Sequence, residues 1–352
     1  MPKSFKENTS NTCPRIGITV GDPAGIGIEV TLKAVADPSV RENCLPIIIG
    51  DAGFLRAAAA KMGLQADYRV IDNDTENLSK ILLDSKEPLI FDCRNIQSII
   101  EPGIESAATG KASAEYIEKA VELCLSGRID AIATAPISKN ALKMADVPFP
   151  GHTEFLAHLT ETDEFAMSFF SGNLRVVLLS THVSLKNALK LVKREAIAKL
   201  IRLTDREIKK LGISNPKIAV AALNPHGGEN QMFGLEEATE INPAIAECRA
   251  EGINVAGAFS ADTIFLRNMR GEFDVVVAHY HDQATIPVKS LAFGEAVNVT
   301  LGLPLIRTSV DHGTAFDIAG QNLAEYSSMK AAVMLAAELS RRKPVSQSTA
   351  GA

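Results

Sequence analysis

The architecture of the chain is set by one segment, RIGITVGDPAGIGIEV, at residues 15–30. We predict a strand over Arg15–Val20, a tight turn over Gly21–Gly27 and a helix from about Glu29. The turn lacks the G-x-G-x-x-G spacing of a dinucleotide-binding fingerprint. On its own it therefore indicates only that two stretches of backbone approach closely.

The same alternation of strand and helix continues along the chain. Helical periodicity occurs over Lys111–Ser126 and Leu185–Leu211. Short buried strands that alternate with helices indicate βαβ units, and hence an α/β protein with largely parallel sheets. Apolar runs predict six further strands, at Leu45–Gly50, Pro88–Asp92, Asp130–Thr134, Leu174–Ser180, Lys217–Leu223 and Asp274–Ala278.

Composition excludes several classes of protein. A chain of 352 residues suggests two domains. A net charge of −6 without a basic stripe argues against nucleic-acid binding, and no apolar run approaches the ~20 residues of a membrane span. Five scattered cysteines without a C-x-x-C pair argue against a disulfide framework, and the polar N-terminus, which has no apolar h-region, predicts that it is not a secretory signal. We expect a cytoplasmic protein that binds neither membranes nor nucleic acids.

Three of the seven histidines follow predicted strands. His182 comes after LRVVLLST, His226 after KIAVAALNP and His281 after DVVVAHY. Ligands of such folds bind at the carboxyl ends of strands, where three imidazoles can hold a divalent metal ion. Asp282 and Gln283 follow His281 directly, and a carboxylate or an amide next to a ligand can orient its ring. The spacing is not a local metal motif, so three unrelated loop histidines remain the alternative.

Two further segments carry candidates for anion binding. Lys289, Asn298 and Arg307 can form a phosphate or carboxylate clamp, and Arg307 lies in an apolar run where an unpaired charge is costly. Solvated polar side chains are the alternative. His152 and Thr153 open the segment GHTEFLAHL and can contact a substrate, although Thr153 can equally be a helix N-cap.

Small residues punctuate the segment DHGTAFDIAG at Asp311–Gly320. They allow backbone amides to approach a flat ligand or a pyrophosphate. Closure of the domain, with Thr314 or Asp317 capping the last helix, is the competing interpretation. Three acidic residues are interpreted as helix-start carboxylates, namely Glu29, Glu154 and Glu236.

Six ordered segments between about Arg15 and Leu339 resemble the 4-hydroxythreonine-4-phosphate dehydrogenase family of vitamin B6 biosynthesis. The glycine-rich segments also resemble the wider isocitrate/isopropylmalate dehydrogenase superfold. The resemblance implies a homodimer of subunits with two α/β/α domains and an active site in the interdomain cleft. The segments are GITVGDPAGIGIEV, GHTEFL, ALNPHGGE, ADTIF, YHDQ and VNVTLGLPLIRTSVDHGTAFDIAG.

The resemblance assigns roles to particular residues. The metal ligands, shared between partners, are His182, His226 and His281. The substrate contacts are His152, Thr153, Lys289, Asn298 and Arg307. The catalytic residues are Asp262 and Lys289. The candidates for the general base are Asp262 and a metal-bound water. The contacts to NAD(P)+ are Gly21, Asp22, Gly25, His312, Gly313, Thr314, Ala315 and Asp317.

The implied reaction is oxidation of the C3 hydroxyl of 4-phosphooxy-L-threonine by NAD(P)+, with one divalent ion of zinc, magnesium or cobalt. Decarboxylation then gives 3-amino-2-oxopropyl phosphate. Relatives act on 4-phospho-D-threonate or D-erythronate, or on a cyclic diol dicarboxylate. Because Ala284 and Thr285 stand where many members have a glycine and an apolar residue, the substrate stays open. The competing functions are a phospho-acyltransferase on the same superfold, a metal-dependent phosphatase and a binding protein.

Domain boundaries follow from the same resemblance. We expect a first domain, on the cofactor side, over 14–135 and 300–345. A second domain over 136–299 is expected to carry the metal site and the dimer interface. The ends, 1–13 and 346–352, are expected to be flexible tails.

Overall fold

The computed structural model describes residues 13–292 and 294–342. Both predicted tails therefore lie almost wholly outside the described residues. The strands, numbered β1 to β12, are Arg15–Thr19, Leu45–Gly50, Arg69–Ile71, Leu89–Asp92, Ala131–Thr134, Ala166–Ser171, Leu174–Leu178, Ile218–Ala221, Val255–Phe259, Val275–Ala278, Val297–Leu301 and Arg307–Ser309.

Helices connect most of these strands. The α-helices, numbered α1 to α13, are Gly27–Ala36, Pro38–Asn43, Ala52–Met62, Leu78–Asp84, Ala107–Leu125, Lys139–Met144, His152–Leu159, Leu185–Leu191, Arg194–Lys210, Asn242–Ala250, Ala261–Met269, His281–Leu291 and Ser327–Arg342. No helix within the described residues is long and apolar enough to cross a membrane.

The described chain divides into two compact units. The discontinuous unit comprises residues 13–165 and 294–340, and the central unit comprises residues 166–292 together with 341–342. In the discontinuous unit the strand order is β3-β4-β2-β1-β5-β12-β11, and only β11 is antiparallel to its neighbour in this unit. In the central unit the order is β6-β7-β10-β8-β9, and only β6 is antiparallel to its neighbour in this unit. The predicted α/β fold with largely parallel sheets is confirmed.

The compact units differ from the predicted domains at both boundaries. Residues 136–165 group with the discontinuous unit because α6 packs closely on α5. At Gly110 of α5, an added Cβ would lie 1.9 Å from the carbonyl oxygen of Ala141, so only glycine permits this contact. Residues 294–299 also join the discontinuous unit, because β11 pairs with β12.

The helix predicted over Leu185–Leu211 is two helices, α8 and α9. The backbone leaves the helical region at Val192 and is extended at Lys193. This break buries the Val192 side chain and lets the Glu240 carboxylate accept a hydrogen bond from the Arg194 amide at 2.8 Å. The periodicity alone does not predict the break, because the capping carboxylate is distant in sequence.

The Asp37 carboxylate links two helices of the discontinuous unit. It caps α2 by accepting a hydrogen bond from the Ser39 amide at 2.9 Å, and it accepts another from Lys330 Nζ on α13 at 2.7 Å. The hydrogen bonds from Lys330 and Ser39 lower the pKa of Asp37 to about 2. A lowered carboxyl pKa adds stability above the unfolded pKa of about 4, and that stability is lost as the pH falls through the folded pKa.

Asp37→Asn keeps the helix cap but removes the charge, and we expect the free energy of unfolding to fall by about 1 kcal/mol near neutral pH. The effect is small because solvent screens Lys330, whose side chain is 37% exposed. The difference from the parent protein should shrink below about pH 4. Urea unfolding across this range measures it, with Asp74→Asn, at an 89% exposed side chain, as the control. A difference independent of pH would contradict the role of the ion pair.

Candidate active site

The three strand-end histidines lie along one edge of the strands of the central unit. His182 follows β7, His226 follows β8 and His281 begins α12 directly after β10. These strands are neighbours in the order β7-β10-β8 and run parallel. Their carboxyl ends therefore meet at the same edge, as the strand-end positions of these histidines predict.

Two of these histidines are close to each other. The ring centroids of His182 and His281 are 6.0 Å apart. The Asp282 carboxylate lies 2.8 Å from His281 Nδ1, an arrangement in which His281 Nε2 can face a metal ion. Asp282 thus makes the orienting contact predicted for it. A pair of imidazoles with one ring oriented by a carboxylate is a donor set that suits a divalent metal ion.

His226 lies on a loop of unusual backbone conformation. Its φ is 53°, and its ring centroid is 6.4 Å from that of Phe233. The described part of the chain contains no group of three or more histidine, cysteine, aspartate or glutamate side chains able to hold a metal ion. The three-histidine site therefore stays a prediction, and His182 and His281 form a close pair within it.

Buried Glu237 anchors the loop that carries His226, although no pattern in the sequence marks it. Its carboxylate accepts hydrogen bonds from the Leu223 amide at 2.8 Å and from the Asn224 amide at 2.7 Å. Burial raises the pKa of Glu237, but hydrogen bonds from Asn224 and Leu223 outweigh burial and lower it. The adjacent Glu236 accepts a hydrogen bond from the Asn224 side chain instead of marking only a helix start.

Asp262, the candidate base, lies in the first turn of α11. It is exposed and lines a cavity of about 480 Å³ together with Asp282 and Gln283. Apolar side chains, among them Phe265 and Ile286, form much of the remaining wall. The wall of the cavity thus contains one carboxylate from the first turn of α11 and one from the first turn of α12.

A buried guanidinium dominates the candidate anion site in the discontinuous unit. Arg307 is 3% exposed, and it donates hydrogen bonds to Thr134 Oγ1 at 2.9 and 3.2 Å and to Thr300 Oγ1 at 3.1 Å. A longer bond of 3.4 Å reaches Asn298 Oδ1. Burial lowers the pKa of Arg307 to about 10, and Glu154 opposes this shift. The group is cationic at neutral pH, yet these hydrogen bonds end on neutral oxygens, which suits an anionic ligand.

His152 adds an unpartnered nitrogen to this site. Its Nε2 atom is buried and has no hydrogen-bond partner among the described residues. Burial, and then the charge of Arg307, hold the pKa of His152 well below its usual range, so the ring is neutral. Because Gly151 is the N-cap residue of α7, the interpretation of Thr153 as an N-cap is wrong, whereas Glu154 lies in the first turn as predicted.

Lys289 is not in the same compact unit as Arg307. It is an exposed residue in the last turn of α12, in the central unit. The discontinuous unit alone thus contains His152, Thr153, Asn298 and Arg307 of the predicted substrate contacts. The role of Lys289 remains a prediction.

The glycine-rich turn and the DHGTAFDIAG loop contact each other. The Thr314 carbonyl accepts a hydrogen bond from the Ile26 amide at 3.0 Å, and a Cβ added at Gly25 would lie 3.0 Å from the same oxygen. Gly21 has a φ of +70°, and a Cβ there would lie 2.2 Å from the Pro136 carbonyl oxygen. The packing of the backbone therefore accounts for these two glycines.

Other residues of the predicted cofactor set differ in whether they already have partners within the protein. Asp22 is fully buried and accepts a hydrogen bond from the Ala24 amide at 2.9 Å, while burial raises its pKa. His312 Nε2 is buried and has no partner among the described residues. A Cβ added at Gly313 would meet no atom within 4 Å. Gly313 therefore faces open space, while cofactor contacts for Ala315 and Asp317 remain predictions.

The fold and these side chains define an α/β enzyme with a candidate anion site in one unit and strand-end histidines in the other. Within this class, the chain belongs to the family described as pyridoxal phosphate biosynthetic protein PdxA, whose model matches residues 42–336. It is a dehydrogenase. The resemblance recognised in the sequence is confirmed.

Individual relatives share nearly the whole chain. The 4-hydroxythreonine-4-phosphate dehydrogenase of Geobacter metallireducens is 46% identical over 337 residues, which cover 95% of this chain and 97% of the relative. The D-threonate 4-phosphate dehydrogenase of Cupriavidus necator is 43% identical, covering 95% and 99%. The crystal structure of the Klebsiella pneumoniae 4-hydroxythreonine-4-phosphate dehydrogenase superposes with a TM-score of 0.85 at 39% identity, covering 93% and 99%.

Proposed function

We propose that the protein oxidises the C3 hydroxyl of 4-phosphooxy-L-threonine with NAD(P)+ and a divalent metal ion. The resulting β-keto acid loses CO2 and leaves 3-amino-2-oxopropyl phosphate. The observation that carries the proposal is the buried Arg307 guanidinium, whose hydrogen-bond partners are all neutral. A negatively charged phosphate group complements this charge, and the Geobacter relative is named for a phosphorylated substrate.

The residues of the anion site hold the phosphate in this proposal. Arg307 donates to its oxygens, Asn298 and Thr153 contribute polar contacts, and the unpartnered His152 Nε2 lies at the same site. Lys289 is proposed as a further cation for the substrate. Binding energy from the non-reacting phosphate restricts the position of C3, and this restriction lowers the barrier to hydride transfer.

His182 and His281 are proposed to hold the metal ion, with His226 as the third ligand and Asp282 orienting His281. A bound divalent cation of zinc, magnesium or cobalt lowers the pKa of a hydroxyl and stabilises developing negative charge on oxygen. Asp262 accepts the hydroxyl proton on its carboxylate. Bound NAD(P)+ would accept the hydride from C3. The β-keto acid would then lose its carboxylate carbon as CO2, and the electron pair left at C2 would take up a proton from solvent.

D-Threonate 4-phosphate is the second candidate substrate, and the side chain at position 285 favours it as an alternative. Thr285, where many members of the family have an apolar residue, is buried with its Oγ1 3.5 Å from His281 Nδ1. This hydroxyl changes the polar surroundings of a proposed metal ligand. The Cupriavidus relative carries the name of this activity at 43% identity.

A substrate panel tests the proposal. NAD(P)H formation should be fastest with 4-phosphooxy-L-threonine, slower with D-threonate 4-phosphate and D-erythronate 4-phosphate, and lowest with unphosphorylated 4-hydroxy-L-threonine. Faster turnover of D-threonate 4-phosphate would select the second candidate. Equal turnover with and without phosphate would contradict the role given to Arg307.

We infer that the protein is a cytoplasmic homodimer whose partners share active sites. Large apolar side chains of the central unit are exposed, including Ile286 at 63% and Leu185 at 58%. Exposed apolar side chains suit a protein interface, and a second copy covers them in our proposal. Other exposed apolar residues of this unit are Leu189, Leu191, Met232 and Phe233. A fully active monomer in light scattering would contradict shared sites.

Gly313→Val tests whether the DHGTAFDIAG loop binds the cofactor. Because an added Cβ meets open space, the variant should fold with an unchanged Tm. We expect the KM for NAD+ to rise at least tenfold, about 1.4 kcal/mol, because the side chain occupies the space of the cofactor. Gly313→Ala should have a smaller effect, and the affinity for metal should not change. An unchanged KM for NAD+ would show that the loop is structural.

A further inference from the structure

Buried polar side chains cross-link the ends of β7, β10 and β8 immediately before the three histidines. We call Ser180, His279 and Gln283 the strand-end network. Ser180 Oγ, after β7, donates a hydrogen bond to the His279 carbonyl, after β10, at 2.9 Å. This bond ties the chain two residues before His182 to the chain two residues before His281.

The other bonds of the network reach the end of β8. His279 Nε2 lies 2.8 Å from the Ala221 carbonyl oxygen, and because a carbonyl only accepts, this nitrogen carries the proton. Gln283 Oε1 accepts a hydrogen bond from the His279 amide at 2.8 Å, and its Nε2 donates to the Ala222 carbonyl at 2.7 Å. Both side chains are buried, with His279 fully so.

We infer that the strand-end network positions His182, His226 and His281 for metal binding, with Gln283 as its central positioning residue. The inference rests on the metal site of the proposed function. Its physical basis is that Gln283 joins the backbone of β10 to that of β8 while its own helix begins at His281. Loss of these bonds lets the ends of the strands shift independently. Residues that orient metal ligands typically change metal affinity by 10–100-fold.

The central unit contains a matched control for this idea. Asn268 is a buried amide that accepts a hydrogen bond from the Arg175 amide at 2.9 Å and donates to the Phe273 carbonyl at 2.8 Å. Arg175 lies in the first half of β7 and Phe273 precedes β10. Asn268 therefore makes the same kind of backbone link at the opposite edge of the same strands.

The experiment compares Gln283→Met with Asn268→Leu in the full-length protein. Titration of the metal-free proteins with Co²⁺, followed by visible absorption, gives both affinity and ligand geometry. We expect Gln283→Met to bind Co²⁺ about 10–100-fold more weakly with an altered spectrum. Asn268→Leu should lower the Tm but leave the affinity and spectrum as in the parent protein.

The possible results distinguish failure of the proposed metal site from failure of the positioning role of the strand-end network. A parent protein that does not bind Co²⁺ would overturn the proposed metal site. Parent-like Co²⁺ affinity and spectrum in Gln283→Met would overturn the inference alone, as would an equal loss of affinity in both variants. If Gln283→Met does not fold, Ser180→Ala, which removes one hydrogen bond, should show a smaller loss of affinity in the same direction, and an unchanged affinity would count against the network.

Discussion

His281→Ala is expected to lower kcat/KM by roughly three orders of magnitude or more, the largest effect that we predict for a single substitution. The removal of a ligand takes away several kcal/mol of charge stabilisation at the reacting oxygen, and about 1.4 kcal/mol corresponds to each factor of ten. The affinity for metal should fall together with activity. Steady-state kinetics and Co²⁺ titration measure the two quantities.

His158→Ala is the matched control for this substitution. The His158 ring packs against Phe149, with 4.8 Å between centroids, and it has no place in the proposed site. The His158→Ala protein should retain the metal affinity and turnover of the parent protein. If His281→Ala also retained both, the proposed metal site would be wrong even though the histidines lie at one sheet edge.

Arg307→Ala is expected to raise the KM for the phosphorylated substrate by roughly ten- to a hundredfold. Hydrogen bonds to a charged group contribute about 1.5–3 kcal/mol, and Arg307 is the buried cation of the anion site. The KM for NAD+ should stay nearly unchanged. Arg307→Lys keeps the charge but loses the two-pronged geometry of the guanidinium. Its KM for the phosphorylated substrate should lie between those of the parent protein and Arg307→Ala.

Arg202→Ala serves as the control for the loss of an arginine. Arg202 is 39% exposed and pairs with Glu247 and Glu251 on the surface, so its removal should leave both KM values unchanged. The Tm of each variant shows whether the chain still folds. A folded Arg307→Ala protein with the KM of the parent would place the phosphate elsewhere.

The sequence predicts best those elements whose signal is local. The run LPIIIG at Leu45–Gly50 has the observed bounds of β2, because every residue is buried within a parallel sheet. The three-residue strand β3, Arg69–Ile71, has no apolar run because it lies at the edge of the sheet and is half exposed. Likewise, β12 contains a buried arginine instead of an apolar run.

In the candidate site, too, the features with a local signal in the sequence are predicted and those without one are not. The burial of Arg307 follows from its apolar neighbours in sequence, and the structure confirms it. Glu237 could not be recognised, because its backbone partners lie 13 and 14 residues away, and the hydrogen bond from Gln283 to the Ala222 carbonyl could not be foreseen, because it spans 61 residues. Periodicity reports which face of an element is buried, but it does not report which distant carbonyl or amide a buried polar side chain meets. Those partners exist only once the strands are arranged side by side.

The most direct test is simultaneous measurement of NAD(P)H and CO2 from 4-phosphooxy-L-threonine, using protein stripped of metal by a chelator and then resupplied with Zn²⁺, Mg²⁺ or Co²⁺. We expect no turnover by the stripped protein and equimolar NAD(P)H and CO2 after resupply. Equal rates before and after resupply, or no NAD(P)H from any phosphorylated hydroxy acid tested, would contradict a metal-dependent, phosphate-recognising dehydrogenase.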